Sequence, residues 1–207
     1  MPRPRLTSHR IVNRRIFIIC EGEKTEPNYF DEIITEKPLP GDLISIIVER
    51  TPKNTGKELV TLGKQLKNTA RDQVWVVVDK DGYTKHHEAF DKANANGIKI
   101  AFSSISFEFW ILLHFEYTTK CFTKADQIIS YMNKKKFFAP AKFTKKMTKL
   151  YCCHLKTKTD TAIKNAIKLV GSQHAGNPGG KIYTINPYTD VHKLIESIRD
   201  VQAEFAK

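Results

Sequence analysis

The 207-residue chain carries 34 Lys and Arg against 22 Asp and Glu, a formal charge of +12, and its 41% apolar content is enough for one well-buried core. Cys20, Cys121, Cys152 and Cys153 form no spaced framework, and no apolar run reaches bilayer length or resembles a secretory signal. A disulfide-stapled scaffold and a helical membrane span are thereby excluded as expectations, the reducing cytoplasm is the expected compartment, and the charge calls for a polyanion, nucleic acid ahead of a membrane surface.

Residues 1–13 hold Arg3, Arg5 and Arg10 but no sustained period, and read as a basic N-terminal arm. Ile16 to Ile19 is an unbroken apolar run within a strand from Arg15 to Cys20, the pattern of a strand buried on both faces. It ends on Glu21. Gly22 permits a sharp turn there, and Thr25 with Pro27 starts a helix over about Glu26–Glu36, which Lys37-Pro38-Leu39-Pro40-Gly41 ends. An acid at the carboxyl edge of a parallel strand stands where ligands collect in open α/β sheets; as a lone feature it reads equally as a solvated loop acid. A second strand, Leu43–Val48, a loop over Thr51–Gly56 and a helix over Lys57–Asn68, with Leu59, Leu62 and Leu66 on one face, follow.

Gln73–Val78 repeats the opening design and runs into Asp79-Lys80-Asp81-Gly82. In an extended segment residues two apart point the same way, so Asp79 and Asp81 can offer their oxygens to one magnesium ion. A helix from His86 to Asn94 and a short strand, Ile98–Phe102, complete an alternation of strand and helix that predicts a parallel sheet. If the first and third strands are neighbours, Glu21 and the Asp79/Asp81 pair approach each other, because strands lie about 4.8 Å apart.

The densest apolar segment, Ser103–Glu116, reads from about Phe107 onward as a core helix whose polar residues Glu108 and His114 need a reason. A carboxylate near a helix start is favoured by the dipole, so Glu108 is either a dipole partner or a third acid of the same edge. A histidine on such a face is by default a hydrogen-bonded core residue. Between Lys120 and Lys168 thirteen lysines face only Asp126 and Asp160, nearly the whole charge excess. Lys134-Lys135-Lys136-Phe137-Phe138 and Lys145-Lys146-Met147 interleave charge with apolar groups, as suits phosphate contacts beside base stacking; the alternative is an aromatic anchor with solvated lysines. Adjacent Cys152 and Cys153 lack the spacing of a zinc site and read as packing residues. His174–Gly180 reads as a loop, and Gly176 to Lys181 lacks the spacing and the Ser or Thr of a phosphate-binding loop. Asn186-Pro187-Tyr188-Thr189-Asp190 opens a final helix with Val191, Leu194, Ile195, Ile198 and Val201 at core spacing.

Cys20-Glu21-Gly22-Glu23-Lys24-Thr25-Glu26-Pro27-Asn28-Tyr29-Phe30, the Val78–Asp81 turn, Phe107-Glu108 through Leu112–Glu116, and Asn186-Pro187 through Thr189–His192 together resemble the RloB family, whose domain is similar to the Toprim fold. Ser104-Ile105-Ser106 departs from the Asn-Pro-type turn expected before Phe107. The resemblance implies an α/β fold: a Toprim/Rossmann-like core over 14–118 with about four parallel strands, a lysine-rich helical extension over 119–185, and a C-terminal helix within 186–207 packing back on the core. It implies Glu21 as general acid or base, Asp79 and Asp81 as ligands of Mg²⁺ or Mn²⁺, and Glu108 as a further catalytic acid. Lys24, Lys134, Lys135, Lys136, Lys145 and Lys146 would bind substrate, with His114, Asp190 and His192 as auxiliary residues. The implied function is a metal-dependent endonuclease, RNA including tRNA ahead of DNA, acting in bacterial defence against phage beside other defence proteins. The alternatives are a non-catalytic nucleic-acid-binding subunit, a DNA-directed nuclease, and an enzyme acting on free nucleotides.

Overall fold

The structure, a computed structural model, describes residues 14–22, 24–39, 44–51, 55–80 and 84–204. The expected arm over 1–13 and Asp81 lie outside them.

Four parallel strands, β1 (Arg14–Cys20), β2 (Ile44–Arg50), β3 (Gln73–Asp79) and β4 (Lys99–Ser104), lie in the order β2-β1-β3-β4, and a two-residue strand, β5 (Tyr188–Thr189), joins β4 antiparallel. Period-two alternation sorts the sheet into two faces. Ile16, Ile18, Cys20, Trp75, Val77 and Ala101 point into one core; Phe17, Ile19, Val74, Val76, Val78 and Phe102 point into the other. Sealing both faces is why these strands read as apolar runs, and fully burying one side chain such as Ile18 contributes about 1.5–3 kcal/mol. Residues from helices α2 (Gly56–Leu66) and α3 (His86–Ala95) pack into the second core. The first takes residues from α1 (Thr25–Glu36), α4 (Glu108–Leu113), α5 (Ala125–Lys134), α6 (Thr159–Gly176) and α7 (Val191–Glu204). The result is an α/β, Rossmann-like layering, and among the described residues no helix is long and apolar enough to cross a membrane.

Register is fixed at both ends of β1. Arg15 grips Asp72 through two hydrogen bonds, 3.1 and 2.8 Å, while Asp72 also accepts from the Asn68 and Thr69 backbones. At the far end the Glu21 N–H donates to the Val77 carbonyl at 3.3 Å, beyond the Cys20–Val77 pair.

Several expectations are corrected. The sheet has five strands because Tyr188 and Thr189 pair with Ser104 and Ser103, where the pattern predicted the approach to the last helix. The same pairing accompanies β4 through Ser103 and Ser104, two residues past its expected end, and α4 covers only Glu108–Leu113, all buried, where the expected helix continued to Glu116. Helix α6 runs to Gly176 through the predicted loop at His174. Cys121, Cys152 and Cys153 are exposed, so only Cys20 is a packing cysteine. Phe138 is buried and the half-buried Phe137 stacks on Phe115, ring centroids 4.9 Å apart, so both rings have packing partners within the chain.

His114 caps the end of α4 in a closed network. A backbone carbonyl only accepts, so Nδ1 carries the proton given to the Trp110 carbonyl (3.0 Å). Nε2 then accepts from the Tyr29 hydroxyl (3.3 Å), whose oxygen accepts from the Trp110 indole N–H (3.0 Å). Burial pushes His114 from 6.5 down to about 4. The unfolded chain therefore binds the extra proton first, and this stabilisation is lost as pH falls from about 6.5 through about 4. Denaturant melts should show the advantage of wild type over His114→Gln shrinking across that window by up to about 3 kcal/mol; a pH-independent difference would contradict the neutral network.

Candidate active site

Parallel pairing of β1 with β3 brings the ends of both strands to one edge of the sheet. The Glu21 carboxylate accepts the Asp79 backbone N–H at 3.2 Å, so these two acids are bound together by the main chain itself. β4 lies on the other side of β3, with Asp79 opposite Ser103 and the Lys80 N–H donating to the Ser103 carbonyl at 2.9 Å. The chain leaves β4 through Ser104 to Phe107 and begins α4 at Glu108, which is buried.

A fourth carboxylate comes from the first turn of α1. Glu26 folds back over Gly22, where a Cβ would collide with its carboxylate oxygen, so the glycine gives room as well as the turn. Burial raises Glu26, and the charge of Glu108 adds to the rise. Burial pushes the Asp79 carboxyl well above its ordinary value, helped by the charges of Glu26, Glu108 and Glu21, against a backbone hydrogen bond from Phe107. Four acids thus face one another at this edge.

Two carboxylate oxygens, Asp79 Oδ1 and Glu108 Oε2, are sealed from solvent with no hydrogen-bond partner, as are the hydroxyls of Ser104 and Ser106. Buried acceptors in such a state are costly, and a hard divalent cation is the partner their chemistry suits. The fit is one of donor type and charge. Among the described residues no three His, Cys, Asp or Glu side chains already form a metal cage, and Asp81, the predicted second ligand, lies outside them.

A cation does reach the acids from the lysine-rich segment. Lys145 Nζ lies 3.6 Å from Glu108 Oε1, and the Lys145 carbonyl accepts the Thr25 hydroxyl at 3.1 Å. Phe143, fully buried, fixes the loop two residues earlier, and its backbone pairs on both sides with the Asn133 amide at 2.8 and 3.1 Å.

The other nominated residues lie elsewhere. Lys24 is exposed just before α1; Lys134, Lys136 and Lys146 are exposed, and Lys135 pairs with Glu116 at 3.6 Å. Lys134 and Lys120 border an open hollow of about 550 Å³ lined also by Phe122 and Tyr131. His114 belongs to the aromatic core described above. Asp190 holds the sheet together: Oδ1 accepts the Phe102 N–H at 2.7 Å, and Oδ2 lies 3.3 Å from the Lys193 ammonium. Burial lowers His192 to about 4, so it is a neutral interior residue of α7. Glu26 is the site residue the sequence reading left inside a helix-start signature. The signal that could have found it is its place five residues after Glu21, one helical turn beyond a glycine.

A family model described as RloB-like protein matches residues 16–198, most of the chain. No curated protein and no solved structure matches it.

The clustered acids carry a stability cost in the metal-free protein. A carboxyl whose folded pKa is raised holds its proton longer folded than unfolded, so its contribution to stability falls as pH rises from its ordinary 3.8. Calorimetry at neutral pH in chelator should therefore find Asp79→Asn melting higher than wild type, by about 2–4 °C for each kcal/mol of repulsion relieved. The gap should close as pH drops below 3.8. A variant that melts lower at neutral pH would show that Asp79 is stabilised there as an anion.

Proposed function

The chain belongs to the RloB-like family, and from that membership and its converging carboxylates we propose that it is a divalent-metal-dependent nuclease. The observation that carries the reading is the pair of sealed, partnerless oxygens on Asp79 and Glu108 beside Glu21 and Glu26. Buried carboxylates brought together raise one another's pKa, and a divalent cation would offset that cost beyond what Lys145 supplies to Glu108.

Asp79 and Glu108 would hold Mg²⁺ or Mn²⁺, and the family resemblance adds Asp81, two residues further along the chain, as a ligand. Held there, the ion would supply positive charge that polarises a phosphodiester and stabilises the leaving oxygen. Glu21 is the proton carrier. A water oxygen forms its bond to phosphorus as a proton passes to the carboxylate; the bond to the leaving sugar oxygen breaks, and that oxygen takes up the proton that Glu21 gives back. Glu26, folded back over Gly22, adds a further carboxyl beside Glu108. The lysines around α5 and the loop after it supply sequence-independent contacts to the nucleic-acid backbone. RNA, tRNA included, is favoured over DNA on the family resemblance, which also suggests a setting in bacterial antiviral defence beside partner proteins.

A second reading has one observation in its favour. Lys145 already pairs with Glu108, as it would in a non-catalytic nucleic-acid-binding subunit whose acids are compensated from within.

Cleavage decides between them. Purified protein incubated with labelled tRNA, other RNA and DNA, each with Mg²⁺, Mn²⁺ or chelator, should cut RNA only where metal is present. Glu21→Gln should keep the fold and the RNA affinity while the rate falls by about 10²–10⁴-fold, the range for a lost general acid or base. A Glu21→Gln variant as fast as wild type would remove Glu21 from the chemistry, and a wild type inactive on every substrate would favour the binding subunit.

A further inference from the structure

The basic segment spreads its lysines over a wide surface, yet it sends one of them to the acids. Lys145 is half exposed, while Glu108, the carboxylate it meets at 3.6 Å, is almost fully covered. Its ammonium is therefore open to solvent on one side and faces the acid cluster on the other. An ammonium has three N–H donors, and the Glu108 oxygen can take one. Its position is fixed by the chain on both sides: Phe143 is buried with its backbone paired to Asn133, and the Thr25 hydroxyl holds the Lys145 carbonyl beside the start of α1. Asp79 and Glu26 also act on Lys145 electrostatically, so the cation belongs to the whole cluster and not to Glu108 alone. Lys146, the next residue, is exposed, and Lys135 is turned to Glu116 across a different part of the surface.

We propose that Lys145 is a catalytic residue whose ammonium touches a non-bridging oxygen of the phosphate being cleaved, while the surrounding lysines hold the flanking backbone. The proposal rests on the nuclease reading above. As the water oxygen bonds to phosphorus and the bond to the leaving sugar oxygen breaks, charge gathers on the non-bridging oxygens. Lys145 donates a hydrogen bond to one of them and keeps its own proton throughout. A donor held in place before reaction stabilises developing charge without reorganisation, and the carboxylate that holds Lys145 is itself covered. A lysine that merely tracks the backbone would instead contribute equally to bound substrate and transition state, and so affect affinity alone.

The experiment compares wild type, Lys145→Met, Lys145→Gln, Lys145→Arg and the triple variant Lys134→Gln/Lys135→Gln/Lys136→Gln. Two quantities are read: the single-turnover rate on labelled RNA at saturating protein in Mg²⁺ or Mn²⁺, and RNA affinity in Ca²⁺. Lys145 is half exposed, which leaves room for each substitution, and melting curves check the fold. The Met and Gln variants should lose about 10²–10³-fold in rate, as when one transition-state donor is removed, with affinity within about threefold of wild type. Lys145→Arg should recover at least about a tenth of the rate, since the charge and donors remain. The triple variant should lose RNA affinity in Ca²⁺ well beyond about threefold. If wild type cleaves and the Met and Gln variants keep its saturating rate, Lys145 is a backbone or structural lysine and this inference alone fails. If wild type cleaves nothing in any metal, the nuclease reading fails and takes the inference with it.

Discussion

The parallel pairing of β1 with β3 is the constraint on which the rest depends. β3 ends on Asp79 and β1 runs directly into Glu21, and the register that sets Cys20 beside Val77 also sets Glu21 against the Asp79 backbone. A register slip by one residue would send Ile16, Ile18 and Cys20 to the opposite core and separate the two acids at once. The Arg15–Asp72 contact at the other end of β1 resists that slip. Fold stability and site geometry are therefore the same interaction seen from two ends. The central strands buy the close approach of like charges with apolar burial on both faces.

The lysine-rich part of the chain is continuous with this core. Residues Phe122, Ile128, Phe138, Phe143, Leu150 and Leu155 bury themselves in the same cluster as the first face of the sheet. Because the aromatic residues are spent on that packing, the lysines between them are displayed outward in fixed positions. One such position, Lys145, overlies the carboxylates. On the proposed nuclease reading, a basic surface packed beside an acidic edge would bring a polyanion to groups that would repel it if they stood alone, and a hard cation among the acids would complete the same balance.

The strands, their order of burial and the acids at their ends were legible because two-faced burial leaves apolar runs and because Glu21 and Asp79 follow such runs directly. β5 was not legible: two residues, Tyr188 and Thr189, become a strand only because β4 offers them a free edge. The end of β4 was misplaced for the same reason, since Ser103 and Ser104 are paired in that distant contact. Glu26 was hidden by a local rule. Thr, Pro and an early acid are what a helix start shows in any protein, and only the fold reveals that this acid turns toward Gly22 and Glu108. His114 was legible in its default role, whereas Asp190 was not: an acid before a helix looks like a cap, and its bond to the Phe102 N–H belongs to tertiary structure.

The central claim is that one edge of the sheet gathers carboxylates for a divalent cation. Titration calorimetry of the purified chain with Mn²⁺ and with Mg²⁺ at mildly acidic pH, in buffers of different ionisation enthalpy, tests it most directly. The account predicts saturable binding to wild type with release of protons, because the Asp79 and Glu26 carboxyls hold theirs above the ordinary range, and its loss in Asp79→Asn. Absence of binding to wild type, or equal binding by the variant, would contradict it.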